Sequence, residues 1–140
     1  MTVIEAIRDF LKTCPLLGAG PIYVDYLPED PVTFSVDTTP VAPVVKSYID
    51  GASLRQFAFV LATRAYYGAE VRTQLDNLGL FEAFAGWIAE QERSGEYPEL
   101  GPGRTVEKME VTTSGYAFAP GVDAARYQIQ CRILYRQDPM

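Results

Sequence analysis

From Arg126 to Arg136 the chain alternates with a single exception, Leu134: Tyr127, Ile129, Cys131, Ile133 and Tyr135 stand on one parity, Arg126, Gln128, Gln130, Arg132 and Arg136 on the other. Successive strand residues point to opposite faces, so this segment is a half-buried β-strand with one apolar and one polar side. Such a strand belongs to an antiparallel sheet, because parallel sheets are covered on both faces and their strands are apolar throughout. The polar side is expected to be open to water or to a neighbour.

The remaining segments fit around that strand. Thr2-Val3-Ile4-Glu5 has capping-box spacing, and Val3, Ile7, Phe10 and Leu11 share a helical face, which predicts a first helix to about Thr13, ended by Pro15. Strands are predicted over Ile22 to Leu27, Val32 to Val36, Val44 to Ile49 and Ser53 to Tyr66, with Asp50-Gly51 as a hairpin turn. Between Ala69 and Arg93 the period becomes helical: Phe81, Phe84, Ala85 and Ile88 stack at i, i+3, i+4, i+7 beside Trp87, and Gly79 is expected to kink or split the helix. A loop rich in Gly, Pro and acid follows from Ser94 to Arg104, then two long strands, Thr105 to Pro120 and Ala124 to Gln137. The expected fold is α+β, one domain from residue 1 to 140, a mainly antiparallel sheet with two helices packed on one face.

Composition narrows the functions. The formal charge is −6, which argues against sequence-specific nucleic-acid binding, since phosphate affinity comes from clustered cations. An acidic wall does suit a passage through which DNA slides without sticking. No apolar run approaches the roughly 20 residues of a membrane span, and the first residues lack the basic and apolar regions of a signal peptide, so cytoplasmic synthesis and no membrane partner are expected. Cys14 and Cys131 are expected to be free, buried thiols.

The chain has no histidine, the commonest base for activating a nucleophile, and no metal or phosphate motif, so neither enzyme activity nor a cofactor is expected. Asp50, Glu107 and Glu110 are carboxylates without a spacing that singles them out, and Glu90, Glu92, Glu96 and Glu99 lack the pattern of a calcium loop. Candidate interface residues are Tyr66 and Tyr67, where interface and half-buried core are both open, and Arg126, Gln128, Gln130 and Arg132 on the polar parity. For the arginines a cross-strand ion-pair ladder stands beside contact with an acidic neighbouring subunit.

The runs Ser47-Tyr48-Ile49-Asp50-Gly51, Gln56-Phe57-Ala58-Phe59, the Trp87 helix, Val111-Thr112-Thr113-Ser114-Gly115-Tyr116 and Ala125-Arg126-Tyr127-Gln128-Ile129-Gln130-Cys131 resemble a family of phage and prophage minor capsid proteins, similar to tail terminators of long-tailed phages. The resemblance spans about Leu27 to Arg136 and rests on structural motifs. It implies a virion protein assembled in the host cytoplasm, forming a ring of copies, six being the expected number. That ring would cap the tail tube, meeting the tail-tube protein on one side and the head-side connector on the other, with DNA passing through it. The alternatives are a head-completion or connector protein, a tail-tube component, or a stand-alone acidic protein-binding module.

Overall fold

In the computed structural model, residues 2–17, 22–24, 33–66, 71–118 and 124–139 are described. The elements are helix α1 (Val3–Leu11), strands β1 (Ile22–Val24), β2 (Thr33–Thr39), β3 (Val44–Ser47) and β4 (Ser53–Tyr66), helix α2 (Val71–Ser94), and strands β5 (Arg104–Val111), β6 (Tyr116–Phe118) and β7 (Ala124–Gln137). A short 3-10 turn, Pro15–Leu17, follows α1.

The strands form one sheet of seven, ordered β1-β2-β4-β7-β5, with β3 also on β4 and β6 also on β7. All pairs are antiparallel except β1 with β2. Its spine is the pairing of β4 with β7 over their whole lengths, Ser53 opposite Gln137 through Tyr66 opposite Ala124. Each spine strand is flanked by a broken arm. On β4, β2 ends opposite Ala58 and β3 resumes opposite Arg55, leaving residues 40–43 as a bulge. On β7, β5 ends opposite Cys131 and β6 resumes opposite Gln128, leaving residues 112–115 as a second bulge.

The apolar parity of β7 forms the core, as the alternation requires. Ile129, Cys131 and Ile133 are buried with Phe59 and Leu61 of β4 and with Phe34 and Val36 of β2. Both helices cover this face: α1 contributes Ala6, Ile7 and Leu11, and α2 contributes Phe81, Phe84 and Ile88. Each large apolar side chain so buried stabilises the fold by about 1.5–3 kcal/mol. The helices meet through Phe10 and Trp87, whose ring centroids are 5.1 Å apart. Thr2 caps α1 by accepting from the Glu5 amide at 3.2 Å, worth about 1 kcal/mol, and Arg8 Nε donates to the Ile22 carbonyl at 2.7 Å, tying the helix to β1.

Two sequence expectations are corrected. Helix α2 is unbroken through Gly79. Glycine costs a helix interior about 1 kcal/mol, and burial of Phe81, Phe84 and Ile88 just beyond it offsets that. The single strand expected over Thr105 to Pro120 is divided at the 112–115 bulge. There the Gly115 backbone lies so close to α2 that an added Cβ would sit 2.4 Å from the Phe81 Cβ.

Candidate protein interface

The polar parity of β7 is largely occupied by its own chain. Gln128 is buried, and its Nε2 donates to the Tyr116 hydroxyl at 2.6 Å, where Gln130 Nε2 also donates at 3.2 Å. Arg132 donates through Nε and a terminal nitrogen to Glu110 Oε1 on β5, and through its other nitrogen to Gln56 Oε1 on β4 at 3.3 Å. Lys108 Nζ stands 3.4 Å from the second Glu110 oxygen. Burial pushes the Glu110 carboxyl up, but bonding to Arg132 and Lys108 outweighs it and leaves its pKa below the ordinary value.

The structure therefore brings Gln128, Gln130 and Arg132 together as a cross-strand ladder. It also corrects the expectation of an open face. Ser35, Val60 and Ala62 are buried with Gln128 on that side, and exposure is left toward Arg132 and Arg136, whose side chains are 35% and 42% accessible. Tyr66 closes β4 opposite Ala124, and Arg126 lies on β7 opposite Arg64 and Phe118 in the backbone register. Tyr67 lies outside the described residues.

The candidate carboxylates are not assembled into a site. Asp50 shapes the hairpin turn, accepting the Ala52 amide at 2.9 Å, and Glu110 belongs to the ladder. Glu92 accepts the Met109 amide at 2.8 Å, so one member of the acidic run caps the backbone of β5. Among the described residues there is no group of three side chains that could hold a metal. Both cysteines are free; burial pushes the Cys131 thiol up to about 12 and raises that of Cys14 as well.

The feature that sequence reasoning missed is the β3 arm. All four residues of β3 are exposed, and Val41, Val44, Val45, Tyr48 and Ile49 leave apolar surface in water, Ile49 completely. The turn itself is well built: the Tyr48 amide donates to the Ala52 carbonyl at 2.9 Å, and Gly51 adopts φ 92°, which glycine alone takes without strain. Gln56 pins the adjacent bulge, its backbone amide on the Pro43 carbonyl at 3.0 Å and its side chain on the Ala42 carbonyl at 2.8 Å. Lys46 and Arg136 lie over the Tyr48 ring at 5.4 and 5.8 Å, and Arg136 also reaches Asp50 at 3.5 Å. The outer edge of β3 has no strand partner among the described residues. Val44-Val45 side by side carried no signal, since Val60-Leu61-Ala62 are equally consecutive and are buried; the one cue was Ile49 beside the turn residues Asp50-Gly51.

Comparison with models of known protein families finds no match, and comparison with curated proteins finds none either. No helix among the described residues is long and apolar enough to cross a membrane.

Proposed function

We propose that this chain is a structural subunit, not an enzyme, that works by assembling with copies of itself and with neighbouring proteins. The observation that carries this is the β3 arm, an ordered hairpin holding contiguous apolar side chains and a strand edge in water. Exposed patches of that kind mark association surfaces, and an unguarded edge is otherwise an aggregation liability.

The sequence resemblance supplies the role: a tail terminator that caps the tail tube of a long-tailed phage as a ring, expected to hold six copies, and joins it to the head-side connector. The net charge of −6 agrees with a lumen through which DNA passes without sticking. The test is deletion of the gene, with tail length measured by negative-stain electron microscopy. Overlong or variable tails without heads are expected. Tails of normal length beside filled heads would move the protein to the connector side, and unchanged particles would overturn the virion role in favour of a one-to-one binding module.

A further inference from the structure

The arm needs a receiving surface, and a cleft formed by other elements offers one. Between α1 and the segment after α2 lies a cleft of about 230 Å³, walled by Ala6, Phe10, Tyr97 and Pro98 and rimmed by Asp9 and Glu99. That volume is below the roughly 300–1,000 Å³ typical of small-molecule sites, so an inserted side chain suits it better than a metabolite. The rim carboxylates are exposed and have no ion-pair partner among the described residues, and the same holds for Lys46 beside the arm tip.

Two other clefts fit less well. The one bordered by Arg55 and Arg104 repeats the sign of Lys46, and the one between Phe81 and Ile129 has a single carboxylate, Glu82. The tip also carries Asp50, but Arg136 stands 3.5 Å from it, which leaves Lys46 as the cation of the arm without an ion-pair partner among the described residues, facing an apolar wall with two anions.

We propose that Ile49 of one copy seats in the Phe10–Tyr97–Pro98 cleft of the next, with Lys46 against Asp9 and Glu99. This rests on the reading of the chain as a self-assembling subunit and adds the contact by which it assembles. Arm and cleft are different surfaces, so the contact is heterologous: each copy gives one arm and receives one, and the series closes into a ring if the rotation per copy divides a full turn. The copy's own cleft is not the occupant's destination, since Ile49 is fully exposed on its own chain.

The test uses purified full chains carrying single substitutions beside the contact, Ser47→Cys on the arm in one preparation and Glu96→Cys next to the cleft in another, mixed with a short thiol-to-thiol crosslinker. Burial of Cys14 and Cys131 keeps the native thiols out of the reaction. The reference mixture pairs Ser47→Cys with Glu82→Cys at the rival cleft. Crosslinking to Glu96→Cys is expected to be faster by about tenfold or more, because docking holds the two thiols above their bulk concentration. Adding Lys46→Glu to the Ser47→Cys copy is expected to remove that preference, and Asp9→Lys in the receiving copy to restore it. Equal rates for the two mixtures, or a faster reaction at Glu82→Cys, would overturn the contact. A preference indifferent to Lys46→Glu would overturn the charge pairing. Equal rates together with overlong tails on gene deletion would remove this contact and leave the terminator reading standing; preferential crosslinking with unchanged particles would do the reverse.

Discussion

The β5 edge of the sheet and the free edge of the β3 arm are treated oppositely. On the β5 side the edge is guarded: Glu92 of α2 takes the Met109 amide, the Tyr97 hydroxyl reaches the Glu107 carbonyl at 3.5 Å, and α2 presses Phe81 against the bulge at Gly115. On the β3 side no strand or helix among the described residues covers the edge, and valines lie where the guarded side has charge. Both arms are strands broken by a bulge and pinned by a glutamine of the spine. Gln56 holds residues 42 and 43, and the Gln130 backbone joins Thr112 and Thr113. A fold that seals β5 with a helix leaves β3 with Lys46 as its one charged residue and two exposed valines beside it, a lighter guard that suits a working surface.

That contrast can be broken most forcefully on the guarded side. Phe81→Ala removes a fully buried ring under the Gly115 bulge and is expected to cost about 3–5 kcal/mol in urea unfolding. Gly115→Ala drives a methyl into the same ring, an overpacking cost of about 1–3 kcal/mol. Combined, the two should cost somewhat less than their sum, because truncating Phe81 removes the Cγ and Cδ2 contacts at 2.8 and 2.9 Å while its Cβ, 2.4 Å from the new methyl, remains. Strict additivity would show that the helix crowds this arm through the Phe81 Cβ and not through the ring.

Next in size is Glu92→Ala. It strips the acceptor from the Met109 amide, with an expected loss of about 1–2 kcal/mol. It also unguards the β5 edge, so concentration-dependent aggregation measured by light scattering should rise. Unaltered scattering would argue that Glu92 serves stability without protecting the edge.

A smaller, pH-dependent effect belongs to the ladder on the spine. Because the folded-state pKa of Glu110 is depressed, its contribution to stability is present above the ordinary carboxylate range and is lost as pH falls through the folded value. Arg132→Gln should return the Glu110 titration, followed by carboxyl NMR, toward its ordinary value and flatten this part of the acid loss. A titration that stays low would assign the depression to Lys108.

The parity of β7 made the core face readable, since Tyr127, Ile129, Cys131, Ile133 and Tyr135 are all buried while Leu134 on the other parity is not, and the spacing of Phe81, Phe84 and Ile88 did the same for α2. Periodicity reports which face is buried against the core, however, and nothing about what covers the other face. Gln128 looked open in sequence because its partner, Tyr116, comes from a strand whose start depends on the Gly115 bulge. The β3 arm escaped for the same reason in reverse. Val44, Val45 and Ile49 have strand propensity, and propensity does not distinguish apolar residues that meet a core from those that extend beyond it.

The smallest expected effect on stability carries the most information about the bare edge. Ile49 makes up none of the core, so Ile49→Ser should leave the urea midpoint within the roughly 0.5 kcal/mol typical of surface substitutions. If the arm is an interface, the same change should abolish incorporation of the subunit into particles, followed by complementation of a deletion strain and electron microscopy. Separation of the two readouts is the decisive point: a residue whose loss costs assembly but not folding has no other role visible in the fold. Normal incorporation of Ile49→Ser would move the working surface elsewhere, and the Arg132–Arg136 end of β7 would be the place to look, because its side chains stay partly exposed on the polar face.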